Sequence, residues 1–225
     1  MKFTFYGQSC FLIELNGKKF LFDPFITGNE LAKNIDVNGI VADYILVSHG
    51  HGDHAGDLVS IAKRTGALVI SNFEIITWLQ LQGVTNVHPM NFGSYDFDFG
   101  TLTLMQAQHS SSFMDGSYAG AAGGFILNAP KGCFYYSGDT SLMLDMQLVP
   151  HYAKPDVAIL PIGGNFTMNA RDAVKASDFI QCDHIIGVHF DTFGYIRIDH
   201  EKARKLFEDA GKQLLIPDIG ATYDL

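Results

Sequence analysis

A chain of 225 residues with 47% hydrophobic side chains, 18 Phe and 9 Tyr among them, is long and apolar enough to build a real core, which excludes a disordered linker. Its 24 acidic against 15 basic residues, for a net charge of −9, exclude a broad basic surface. Extended nucleic-acid binding and attachment to an anionic membrane are therefore not expected, and no stretch approaches the roughly 18 apolar residues of a membrane span.

Three short extended segments open the chain, at 2–6, 10–15 and 19–23. Asn16–Gly17 between the second and third is a strong hairpin signal. The opening stretch MKFTFYGQSCFLIEL lacks the apolar run and small-residue cleavage site of an export signal. Cys10, Cys133 and Cys182 are odd in number, widely spaced and without a CxxC pair, so reduced thiols and a cytoplasmic location are expected. Residues 24–42, with Pro24, Gly28 and Gly39, read as irregular. DYILVS (43–48) reads as a buried strand, and 54–64 as one helix stopped by Gly66. A strand at 67–70 and a helix at 73–82 follow, the helix capped by Asn72 and stopped by Gly83.

The middle of the chain changes character. YDFDFG (95–100) alternates aromatic and acidic residues, and strands are expected at 101–106, 123–128 and 133–138, with APKG (129–132) as a turn. The last third returns to alternation: strand 156–160, helix 170–180, strand 184–188, helix 199–210 and strand 213–216. HEKARKLFEDAGK (200–212) is amphipathic, with Ala203, Leu206, Phe207 and Ala210 expected inward. The order of strands, β/α, strands, β/α has no linker or low-complexity tract. It implies an α/β fold of two similar halves packed as a single domain over 1–225, two sheets with helices outside.

LVSHGHGDHAGD (46–57) crowds His49, His51, Asp53 and His54 into six positions directly after a strand. Ligands commonly bind at that end of a strand in α/β folds. His49 and His51, two apart in a tight loop, can converge on one ion. Asp53 and His54, being adjacent, are expected to point apart, so that one of them serves a second ion. Asp53 alternatively caps the next helix. Imidazole and carboxylate donors suit zinc, manganese or iron. Further ligands are sought at other strand ends. His109, Asp139 in YYSGDT and His189 in VHFDTFG stand there, with Asp191 a weaker rival to His189. Asp23 in FDPF is expected to bond backbone or support a ligand rather than bind metal. His88, His151, His184 and His200 read as structural or solvated.

The SHGHGDH stretch resembles the HxHxDH motif of the metallo-β-lactamase superfamily, and His109, Asp139 and His189 follow the order and spacing of its later ligand motifs. LFDPF, SHGHGDHAGD, YYSGDT and LPIGGNFTM resemble the small bacterial metal-dependent hydrolases of that superfamily. These are kin to ascorbate-phosphate lactonases and, more distantly, to tRNA 3′-processing nucleases, whose basic glycine-rich arm has no counterpart here. The resemblance implies a four-layer αββα sandwich and two divalent metal ions, zinc foremost, with manganese and iron as alternatives. It implies His49, His51 and His109 on the first ion, Asp53, His54 and His189 on the second, and Asp139 bridging both.

The reaction implied is attack by a metal-bridging hydroxide on a small ester, lactone or phosphoester, with Asp53 and Asp139 as the catalytic carboxylates. A small, anionic substrate is expected, and a homo-oligomer is compatible with the sequence. Two other functions are weighed against this one: a phosphodiesterase acting on nucleotides or short RNA ends, and a metal-binding interaction protein without turnover. GGNF (163–166) and HSSS (109–112) offer donors for a substrate anion, although an ordinary turn is the expectation for Gly163–Gly164. Phe113, Met114, Phe193 and Tyr195 are candidates for the mouth of the site or for loop packing.

Overall fold

Asn16 and Gly17 both adopt positive φ, 54° and 76°. That is the pairing a two-residue turn needs to match the twist of its strands. The hairpin they close opens a computed structural model describing Met1–Leu225. The chain forms two compact units. One comprises Met1–Asn91, Ser110–Ala122 and Asp218–Leu225, and the other Phe92–His109 and Gly123–Pro217.

In the first unit, β1 (Lys2–Gly7), β2 (Cys10–Leu15) and β3 (Lys18–Phe22) form an antiparallel meander. β4 (Tyr44–Leu46), β5 (Leu68–Asn72) and β6 (Val87–Met90) then add in parallel beside β3. β4 is shorter than the run 43–48 suggests. Val47 still donates to Ile70, but the amide of Ser48 leaves the ladder and donates to Asp23 Oδ1 at 2.7 Å.

The helix expected over 54–64 is instead two, α1 (Gly52–Ala55) and α2 (Leu58–Thr65). Asp57 breaks it. Its carboxylate accepts from the amides of Ile26 (2.6 Å) and Thr27 (2.8 Å) and from the Thr27 hydroxyl, which pins the junction to the loop after β3. Gly66 ends α2 in the left-handed region, as expected. Asn72 caps α3 (Phe73–Leu81) by accepting from Ile75 N, and its amide also donates to Ala119 O and Ala121 O. The residues of α2 and α3 that face the sheet, Leu58, Ile61, Ile75 and Leu79, are fully buried in one apolar cluster with Leu21, Ile45 and Val69.

The second unit repeats this arrangement. β7 (Gly93–Phe97), β8 (Gly100–Gln106), β9 (Gly123–Ala129) and β10 (Gly132–Tyr136) are antiparallel. β11 (Val157–Pro161), β12 (His184–Val188) and β13 (Gln213–Leu215) continue in parallel from β10. The aromatic–acidic alternation at 95–100 spans the β7–β8 hairpin rather than one strand, because Gly100 (φ 140°) begins the return. α4 (Val149–Tyr152), α5 (Ala170–Ile180) and α6 (His200–Asp209) complete the unit. Asn169 and Asp172 form a reciprocal capping box at α5. Ala203 and Phe207 of α6 are buried as expected, but Ala210 is exposed because the helix ends one residue before it.

A short strand not anticipated, β14 (Thr222–Asp224), pairs antiparallel with β1 and completes the first sheet. Each sheet therefore has seven strands, four antiparallel followed by three added in parallel. In the first sheet, the outermost antiparallel strand comes from the far end of the chain. No helix is long and apolar enough to cross a membrane.

Candidate metal centre

Asp23 directly follows β3 and is completely buried. Its Oδ1 accepts from Ser48 N, and its Oδ2 accepts from Ser48 Oγ (2.6 Å) and from His54 Nδ1 (2.8 Å). These contacts set two tautomers. His54 carries its proton on Nδ1, which leaves the Nε2 lone pair as a donor. Ser48 spends its only hydroxyl hydrogen on Asp23, so it must accept from His49 Nδ1 at 2.9 Å, and His49 Nε2 is likewise a donor. A carboxylate that fixes imidazole orientation in this way is a standard support for metal-ligating histidines. The expectation that Asp23 supports ligands rather than binding metal agrees with these bonds. Ser48, which sequence reasoning passed over, transmits the effect.

The ligand-rich loop carries its side chains inward. His49 and His54 are fully buried, and His49 Nε2 lies 3.0 Å from His51 Nδ1. Asp53 and His54 do not point apart as expected. Asp23 draws His54 Nδ1 back and turns Nε2 to 3.6 Å from Asp53 Oδ2. Nor does Asp53 cap a helix, since α1 has His51 at its cap position without a side-chain bond. Asp53 Oδ2 instead accepts from Gln8 Nε2 at 2.9 Å. Gln8 is buried at positive φ (54°). Its only trace in the sequence was an unremarkable turn between two strands.

In the second unit, Asp139 Oδ2 lies 2.9 Å from His189 Nε2 and 3.7 Å from His109 Nε2. Asp139 and His189 are buried. Asp23 (φ 41°) and His189 (φ 55°) both hold left-handed backbone conformations, uncommon outside glycine. Asp191, the rival to His189, is committed elsewhere: it accepts from Ile198 N (3.0 Å) and pairs with His200 (2.7 Å).

Three groups of side chains have donor atoms within 4.8 Å of one another: His49, His51 and His109; Asp53, His54, Asp139 and His189; and Asp23, His49 and His54. The third is the hydrogen-bonded support just described. The first two are candidate metal-binding clusters and include every ligand expected from the sequence. Their donor chemistry fits a divalent cation, being imidazole and carboxylate, hard to borderline donors suited to zinc, manganese or iron. Three of the imidazoles, those of His49, His54 and His189, are buried near carboxylates, an arrangement that a bound cation would stabilise. His88, His151, His184 and His200 fall in none of the groups.

Gly50 and Gly52 let the segment 110–120 pack onto the ligand loop. Gly50 N donates to Ser111 Oγ at 3.2 Å, and a methyl at Gly50 would overlap Ala119 Cβ and lie 3.3 Å from the Ser112 carbonyl. A methyl at Gly52 would overlap only the exposed thioether of Met114. Gly50→Ala is therefore expected to destabilise the fold by about 1–3 kcal/mol through overpacking against backbone. Gly52→Ala should stay within about 0.5 kcal/mol, because Met114 can swing into solvent. Urea unfolding of the two variants checks the contrast, and equal losses would refute it.

Phe113 is not at a mouth. It is buried and stacks on Trp78 with ring centroids 4.5 Å apart. Met114, Phe193 and Tyr195 are exposed. Gly163–Gly164 is an ordinary turn, as expected, because the Gly164 amide is used internally, donating to Met168 O at 3.0 Å.

Two seven-stranded mixed sheets with flanking helices, and clusters of imidazole and carboxylate donors at their strand ends, define an α/β protein with a candidate metal centre. Residues 2–189 match the family model described as "Beta-lactamase superfamily domain". A "UPF0173 metal-dependent hydrolase" of Christiangramia forsetii is 52% identical over 227 residues, covering 100% of each chain. One from Flavobacterium johnsoniae is 52% identical over 226 residues, also covering 100% of each. The solved structure of Igni18, described as a novel metallo hydrolase from Ignicoccus hospitalis, superposes with a TM-score of 0.88 at 31% identity over 100% of this chain and 98% of that one. The chain belongs to the metallo-β-lactamase superfamily and, within it, to the UPF0173-type metal-dependent hydrolases.

Proposed function

We propose that the chain is a dinuclear hydrolase of a small, anionic ester, lactone or phosphoester, acting as a single metallo-hydrolase domain. His49, His51 and His109 would hold one divalent ion, and Asp53, His54 and His189 the other, with Asp139 shared. Zinc is the first choice, and manganese or iron the alternatives. The observation that carries this reading is the position of Asp139 Oδ2, close to the Nε2 atoms of both His189 and His109, which belong to different donor groups.

When bound, a pair of such ions supplies Lewis acidity and an acidified water as nucleophile. The chain's residues set the conditions for that chemistry. Asp23 and Ser48 orient the imidazoles of His54 and His49. Gln8 donates to one oxygen of Asp53, and the Asp53 carboxylate so positioned would orient the nucleophile or take its proton. Two carboxylates against two dications leave the site net positive, which favours an anionic substrate. Cys10, Cys133 and Cys182 are buried and unbridged, and burial pushes the Cys133 thiol up to about 12. Such inert thiols support placing the activity in the reducing cytoplasm.

The test is a substrate panel run on chelator-stripped protein reloaded with Zn²⁺, Mn²⁺ or Fe²⁺. Metal-dependent turnover of a carboxylic ester or lactone is expected. Turnover of bis(p-nitrophenyl) phosphate alone would replace this reading with a phosphodiesterase. Full metal loading without turnover of any of them would sink it.

A further inference from the structure

We propose that Phe166 and Tyr195 form a recognition platform for a planar, apolar group beside the scissile bond, so that the substrate is an aryl-type rather than an aliphatic ester, lactone or phosphoester. The proposal rests on the dinuclear reading above. Phe166 is 52% exposed and Tyr195 78%, yet their rings meet edge to face, with centroids 6.2 Å apart and planes at 76°. Neither ring contributes to a core. Both are held by turns tied to the proposed ligands.

The turn bearing Phe166 is seated at both ends. At Gly163 a methyl would overlap the carbonyl oxygen of His189, so backbone lies directly on backbone there. At the other end Met168 N donates to Thr140 O at 2.9 Å, next in the chain to Asp139. Between them Gly164 N bonds Met168 O (3.0 Å), Phe166 N bonds Gly164 O (2.7 Å), and Asn165 sits at φ 58°. Tyr195 lies in the short helical turn Gly194–Ile196. That turn is closed by Ile196 N to Phe193 O (3.1 Å) and by Asp191 N to Ile196 O (2.9 Å), two residues beyond His189.

Backbone turns anchored beside His189 and Asp139, with the two rings in mutual contact, suit a specificity element, because less ordering is lost when a substrate ring docks. Edge-to-face and offset-stacked geometries remain open to a third ring.

The experiment measures binding of phenylphosphonate and methylphosphonate to the metal-loaded protein by calorimetry. The two probes share an anionic head and differ in the apolar group. Wild type is expected to prefer phenylphosphonate by about tenfold or more. F166A and Y195A should each reduce the preference to about twofold with methylphosphonate affinity and metal content unchanged, while F166Y, which keeps the ring, retains it. Equal affinities in wild type, binding of neither probe, or a preference that survives both alanine variants overturns the platform. So does a loss of preference that accompanies a change of oligomeric state in sedimentation, which would assign the rings to a subunit contact. The underlying reading fails separately: an intact phenyl preference without metal-dependent turnover removes the hydrolytic chemistry and leaves the platform standing.

Discussion

His189→Ala is expected to lose one of the two proposed metal ions and to lower kcat/KM by at least about 10²-fold, more than the 10–100-fold that removal of a supporting carboxylate typically costs. His189 Nε2 is buried 2.9 Å from Asp139 Oδ2, so its loss also leaves the proposed shared carboxylate without its closest imidazole. His51→Ala removes a donor from the other group, and a comparable loss is expected there. Metal content per chain, measured by plasma mass spectrometry on protein prepared without chelators or an affinity tag, separates the two variants from a simple folding defect when combined with a melting curve. Wild-type metal content in both variants would refute the ligand assignment.

Asp23→Asn and Asp23→Ala should fail in different ways. Asp23→Ala strips an acceptor from Ser48 N, Ser48 Oγ and His54 Nδ1 in a fully buried site. Each buried donor left unsatisfied costs about 1–3 kcal/mol, so the alanine variant is expected to lose several kcal/mol of stability. Asp23→Asn keeps the volume and one acceptor, still accepting from Ser48 N. Its amide group, placed where Oδ2 was, would donate to His54 Nδ1 and drive that imidazole's proton to Nε2, the atom proposed to bind metal. Its stability should fall less than that of the alanine variant, while metal affinity falls about 10–100-fold. Denaturation of the metal-free proteins and metal titration read the two effects independently. An Asn variant that binds metal like wild type would refute the tautomer argument.

What could be read from the sequence was what is local in the chain. His49, His51, Asp53 and His54 announce themselves because their spacing is short and their chemistry unusual. His109, Asp139 and His189 are legible because strands are recognisable and ligands gather at strand ends. Other features depend on partners distant in the chain and leave no local trace. The break between α1 and α2 is made by Asp57 reaching back to Ile26 and Thr27. β14 is three residues whose identity as a strand comes only from Lys2–Thr4. The turning of His54 toward Asp53 is imposed by Asp23, 31 positions earlier. Aromatic side chains are the hardest to place: Phe113 packs into the core against Trp78, while the ring of Phe166, in a GGNF stretch read only for its anion donors, stands in water.

The left-handed backbones of Asp23 and His189 bear on how this protein can be improved by engineering. A non-glycine residue held there stores on the order of 1–2 kcal/mol. Glycine would release that strain but would also delete the carboxylate or the imidazole. At Asp23 the three hydrogen bonds lost would outweigh the strain released, so strain relief and the proposed metal binding are opposed at His189 alone. Any thermostable descendant must draw its gains from surface helices and loops while carrying the same strained pair unchanged.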